Sequence, residues 1–67
     1  MTEPKRMMLD VLAVSLDTHM VRLIATGKDE RNAEAIVEMA VIRRGVEVEY
    51  FTTAPAGKYY DGMRYAD

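Results

Sequence analysis

The sequence has 67 residues, of which 49% are hydrophobic, with no Cys, no Trp, one His and a formal net charge of −2. A chain of this length buries only about 60% of the surface its unfolded form exposes, so it supports one small domain, and without Cys it lacks disulfides and thiolate zinc, the usual staples of small folds. Eleven acidic against nine basic residues, the bases scattered apart from Lys5-Arg6 and Arg43-Arg44, argue against gripping a DNA or RNA backbone by phosphate neutralisation.

Residues 1–6, with Pro4, read as a flexible N-terminus. From Met8 to Leu16 the chain places Leu9, Val11 and Ala13 on one face of a strand and Leu12, Val14 and Leu16 on the other. Both faces are apolar, as in a central strand covered on two sides. Asp17-Thr18 marks a turn, and His19 to Ala25 alternates again, so residues 8–25 predict a β-hairpin. Thr26-Gly27-Lys28 breaks the strand period. Asp29 is the N-cap of a helix over 29–45, with Glu30 at its positive end, Arg43 and Arg44 in its last turn, and Gly45 as its stop. Residues 46–54 predict a third strand that runs parallel to the second, because a helix-long crossover joins them. Pro55-Ala56-Gly57 ends it. Asp61-Gly62 between aromatic flanks then predicts a short hairpin over 58–65 on a type I′ turn, with Tyr60 facing Met63, Tyr59 facing Arg64 and Lys58 facing Tyr65. The expected fold is α+β: a compact ββαβ domain with one helix on a small mixed sheet and a C-terminal Tyr-rich β-hairpin.

Two features exceed what such a fold requires. Between Ile36 and Ile42 only Glu38 is polar. Ile36, Val37, Met39, Ala40, Val41 and Ile42 therefore surround most of the helix axis, more than one small sheet can cover. A second copy of the chain is the expected cover, with Ala35, Met39 and Ile42 as the interface of a homodimer or higher oligomer. The alternative cover is the Tyr-rich tail folding back. Secondly, all five aromatics (Tyr50, Phe51, Tyr59, Tyr60, Tyr65) lie in the last third of the chain. Tyr offers large, stiff contact area with a polar tip. Lys58, Tyr59, Tyr60, Arg64 and Tyr65 are thus the candidate partner- or ligand-binding residues, against the alternative that these tyrosines are core.

Chemistry is sparse. His19 is the one imidazole, with Ser15 and Asp17 near it across a turn, and this is too thin for a catalytic or metal site. Gly57-Lys58 lacks the spacing of a phosphate loop, and Gly27-Lys28 before the helix reads as an ordinary strand-to-helix turn. Glu47 and Glu49 form an acidic stripe of the kind that is usually solvated. No enzyme, no cofactor and no metal are expected. The longest apolar run, Met7 to Leu16, contains Asp10 and Ser15 and is far short of the roughly 20 residues that span a bilayer. Nor does a small-residue cleavage site follow it. A soluble, cytoplasmic protein with no membrane association is the expectation.

The stretch Glu30-Arg31-Asn32-Ala33-Glu34-Ala35-Ile36-Val37, then Met39-Ala40-Val41, Arg43-Arg44-Gly45-Val46 and a Gly-Tyr-rich end from Gly57 to Gly62, resembles small uncharacterised proteins of phages and prophages of proteobacteria. The resemblance covers about half the chain, rests on no defined motif and transfers no active residues. It implies a host-cytoplasmic setting and a style of action, that of anti-CRISPR proteins and of sponges that sequester immune nucleotides. The expected function is accordingly a homo-oligomeric, non-enzymatic inhibitor that binds and blocks a host defence protein. Alternatives are an oligomeric sponge holding a nucleotide between tyrosines and Lys58 or Arg64, and a structural or assembly subunit.

Overall fold

A computed structural model describes residues 8–66; the N-terminus expected over 1–6 lies outside the described residues. The elements are β1 (Leu9–Ser15), β2 (Val21–Lys28), α1 (Glu30–Arg44) and β3 (Glu49–Pro55), with the sheet in the order β2-β1-β3. This is the α+β ββαβ architecture expected.

Strand β1 is the axis of the molecule. Val11, Leu12, Ala13 and Val14 are all within 1% of complete burial, because their side chains alternate between two covered faces. Leu12 and Val14 pack with Val21, Ala54 and Tyr59 under the C-terminal segment, and Ala13 packs with Phe51 and Ala40 under α1. Small side chains at Ala13, Ala33 and Ala40 let the helix lie close on the sheet. β2 and β3 run in the same direction, as the helical crossover requires, but β1 lies between them and pairs antiparallel with both. The sheet is therefore antiparallel at each pairing, not mixed. With both strand faces apolar, β1 gains most by the central place, and a central β1 separates the two strands expected to run in parallel.

The helix forms as its ends dictate. Asp29 Oδ1 accepts from the Asn32 amide at 2.8 Å, and Gly45, at φ +74°, donates its amide to Val41 O. β3 begins three residues later than the expected 46, since residues 45–48 are spent descending from the helix layer to the sheet, a step of about 10 Å between packed layers. Val46 and Val48 are consequently exposed.

The expected break at Thr26-Gly27-Lys28 is absent, and β2 continues to Lys28 through two register shifts, one at Ile24 between the Leu12–Leu23 and Val11–Ala25 pairs and a bulge beyond it. Lys28 pairs with Leu9 and Ala25 with Val11, so Thr26 and Gly27 together stand opposite Asp10. Gly27 adopts φ +63°, the backbone that a bulge glycine supplies. Its amide points to the Asp10 carboxylate, Oδ1 accepting at 3.0 Å, while Oδ2 accepts from the Gly57 amide at 3.0 Å. Asp10, only 4% exposed, thus joins the bulge of β2 to the turn that ends β3.

The hairpin expected over 58–65 does not form either. The Tyr60–Met63 turn is closed by Met63 N donating to Tyr60 O at 3.0 Å. It carries a positive φ at Gly62 (+89°) and none at Asp61, which is the type II pattern. Type I′ needs both, and a type II turn splays the chains on either side instead of pairing them. The segment adds to the edge of β2 instead: Val21 N donates to Met63 O (2.7 Å), Gly62 N to Val21 O (2.9 Å) and Tyr65 N to His19 O (2.7 Å), and Met20 bridges Arg64. Leu23 N donates to Asp61 Oδ1 at 2.6 Å. A pre-formed strand edge is a better partner than an isolated two-stranded ribbon, and the pairing shields that edge.

Replacing Asp10 by Asn keeps the shape but sets an NH2 group against one of its two N–H donors. The expected cost is about 1.5–3 kcal/mol, typical for a hydrogen bond to a charged group, read as a lower urea midpoint at unchanged slope. Leu12→Ala should cost about 2–5 kcal/mol, comparable to the whole stability of a domain this small at about 0.05–0.15 kcal/mol per residue, so that variant should be largely unfolded by circular dichroism.

Candidate functional site

Three surfaces carry the side chains of interest: the C-terminal segment, the outer side of α1, and the groove between α1 and β2. The C-terminal segment divides its residues between core and solvent. Tyr59 is buried at 5% exposure. Its hydroxyl donates to Ala66 O at 2.5 Å and accepts from Ala66 N at 3.2 Å. The Tyr59 ring stacks on Tyr65 at 5.2 Å, and Tyr65 meets Tyr50 edge-to-face at 6.2 Å. These three rings, with Met63, pack against the Leu12–Val14 face of the sheet. Of the five proposed recognition residues, Tyr59 and Tyr65 are therefore occupied in packing. Lys58, Tyr60 and Arg64 are exposed, Tyr60 at 66%, and Lys58 Nζ lies 5.6 Å from the Tyr59 ring centroid.

Along α1, the residues expected to meet a second copy are open. Ile42 is 78% exposed and Met39 48%, and Ala35 is exposed one turn before Met39. At 100° per residue, positions 35, 39 and 42 fall within one stripe on the side away from Ala33 and Ala40, the two buried helix residues. The tail covers the opposite face of the sheet and leaves this stripe bare.

Beside the stripe a groove runs between α1 and β2. One part, of about 220 Å³, is lined by Arg22, Ile24, Ile36, Met39, Arg43 and Arg44. The next, of about 480 Å³, shares Ile36 and Met39 and adds Lys28, Asn32 and Ala35. Glu49 holds one end together: its carboxylate accepts from Arg22 Nη2 at 3.0 and 3.2 Å and lies 3.6 Å from Arg44 Nη1. This ion pair explains half of the expected acidic stripe, since only Glu47 remains without such a partner among the described residues. The other flank of α1 is acidic, with Glu34 and Glu38 beside Val37, Phe51 and Thr53.

Ser15 and His19 have structural positions. Ser15 Oγ accepts from the amides of Asp17 and Thr18 at 3.3 Å each. His19 is exposed in the turn at φ +62°, with its carbonyl taken by Tyr65. No cluster of three or more metal-ligating side chains occurs among the described residues, and none of their helices is long and apolar enough to cross a membrane. Family models, curated proteins and solved structures yield no match to this chain.

Arg22 and Ile24 share a face of β2 by strand alternation alone; sequence reasoning missed the groove because which face meets α1 is fixed only by the pairing of Arg22 with Ala13 under the helix. The one signal available was Arg43 and Arg44 at the helix end, read there as dipole partners alone. The division of the tail is testable. Tyr59→Phe should lose about 0.5–1.5 kcal/mol of stability with its two hydrogen bonds, whereas Tyr60→Ala should change stability by less than about 0.5 kcal/mol, both read from urea unfolding.

Proposed function

We propose that this protein acts by binding, as a homo-oligomeric, non-catalytic inhibitor that blocks a host protein in the manner of small phage-encoded antagonists. The observation that carries the reading is the bare stripe Ala35-Met39-Ile42 on a helix whose opposite side, at Ala33 and Ala40, is buried against the sheet. In a domain of this size an exposed Ile at 78% beside Met39 is apolar surface with no role in the fold, and contiguous patches of this kind mark association sites. Self-association about a two-fold axis sets the stripe against itself, so each apolar side chain finds an apolar partner. The exposed Lys58, Tyr60 and Arg64 then remain available to a second protein, Tyr as a stiff contact and the bases at the rim. The nucleotide-sponge alternative loses support, because it needs open tyrosine faces and Tyr59 and Tyr65 are stacked on each other.

Size-exclusion chromatography with light scattering tests the association. The wild type should elute as a dimer or higher oligomer, and Ile42→Arg should become monomeric while keeping its far-UV spectrum. A wild type that is monomeric at the concentrations used for NMR contradicts the reading. A Tyr60→Ala/Arg64→Ala variant, expected to remain oligomeric and folded, should lose capture of a bacterial partner that the wild type retains.

A further inference from the structure

We propose that the groove between α1 and β2 is a docking site for an acidic amphipathic helix presented by a partner protein. The inference rests on the binding-protein reading above and adds the place and chemistry of the contact. A three-stranded sheet is about 14 Å wide at the usual strand spacing, while one helix covers about 10 Å. The β2 edge of the helix-facing layer is thus left uncovered, and a partner helix would seat on that edge and on the flank of α1. Its floor is already apolar: Ile24, on the helix side of β2 two residues beyond Arg22, lies with Ile36 and Met39 along the groove.

The charges around that floor select the occupant. Arg22, Arg43 and Arg44 stand at one end and Lys28 at the other. Glu49 engages Arg22 and Arg44, Arg43 has no ion pair among the described residues, and the carboxylate of Asp29, next to Lys28, is committed to the Asn32 amide and side chain. This cationic flank sits on a chain of net charge −2, with Glu34 and Glu38 on the far side of α1. An aliphatic stripe flanked by Glu or Asp complements it in both respects, by the helix-in-groove mode of recognition. From Asn32 to Arg43 the groove is about 16 Å long, room for about three turns of a partner helix. A second copy of this chain is a poor occupant, because a two-fold contact through the groove sets one cationic patch on another.

The test uses two designed peptides of about 14 residues, four helical turns, with the same leucine stripe and equal helicity, one flanked by Glu and one by Lys. Each is titrated into the isotope-labelled full chain and followed by NMR. The Glu peptide should saturate, with shifts centred on Ile24, Ile36, Met39 and Arg43, and should weaken as salt rises. The Lys peptide should bind at least about ten-fold more weakly, and Arg43→Glu should weaken the Glu peptide about ten-fold. Glu38→Lys, on the opposite flank, should change its affinity by no more than about two-fold. Equal binding of both peptides, no binding of the Glu peptide, or shifts centred elsewhere overturns the proposal. So do resonances of Ile24 and Arg43, residues outside the self-association stripe, that move with protein concentration alone, since these identify a second copy as the occupant. An oligomer that persists while the peptide fails to bind refutes the groove alone, whereas peptide binding by a monomeric wild type refutes the self-association alone.

Discussion

The fold depends on one buried carboxylate. Asp10 lies on the central strand among aliphatic neighbours, and a polar group there is tolerable only if its acceptors are filled. They are filled by the two glycine amides of the β2 bulge and the turn after β3. One side chain thereby sets where β2 bulges and where the chain turns after β3. The bulge keeps β2 paired with β1 as far as Lys28, and the turn at Gly57 launches the segment whose tyrosines close the other face. In a domain with no disulfide, this hydrogen-bonded junction does part of the work that a cross-link does elsewhere.

Each face of β1 is finished by a different economy. Under the tail, large rings do the covering, with Tyr59, Tyr65 and Tyr50 packed ring against ring. Under α1, alanines permit close approach, so the helix spends little of its apolar surface on the sheet. What remains, Met39 and Ile42 above and Ile36 along the groove, is surplus to the fold. That surplus is the physical basis for the association proposed above. On the proposed binding reading, the flanks of α1, cationic toward β2 and acidic toward β3, set which partner chemistry each side accepts.

Much of this was legible in residue order. The doubly apolar β1, the helix with its caps at Asp29 and Gly45, and the exposure of Ala35, Met39 and Ile42 follow from local spacing. Where the reading departs from the structure, the controlling contact is distant in sequence. Asp10 reaches across 17 residues to Gly27 and 47 to Gly57, and in the sequence it appears only as an interruption of an apolar run. Gly27 likewise looks like a strand breaker until its amide has a partner. Asp61-Gly62 carries the composition of a hairpin turn, yet Asp61 spends its carboxylate on Leu23, and the segment gains more from the edge of β2 than from itself. Tyrosines gathered in one stretch suggested a recognition surface, and only packing distinguishes Tyr60 from Tyr59 and Tyr65.

Native-state hydrogen exchange at the Gly27 and Gly57 amides tests the central role of Asp10 most directly. If the carboxylate ties the two edges of the sheet together, both amides should be protected to about the same opening free energy as the β1 core, Val11 to Val14, and should lose that protection together in Asp10→Asn. Fast exchange of either glycine in the wild type, or loss of protection at one and not the other in the variant, would contradict the account.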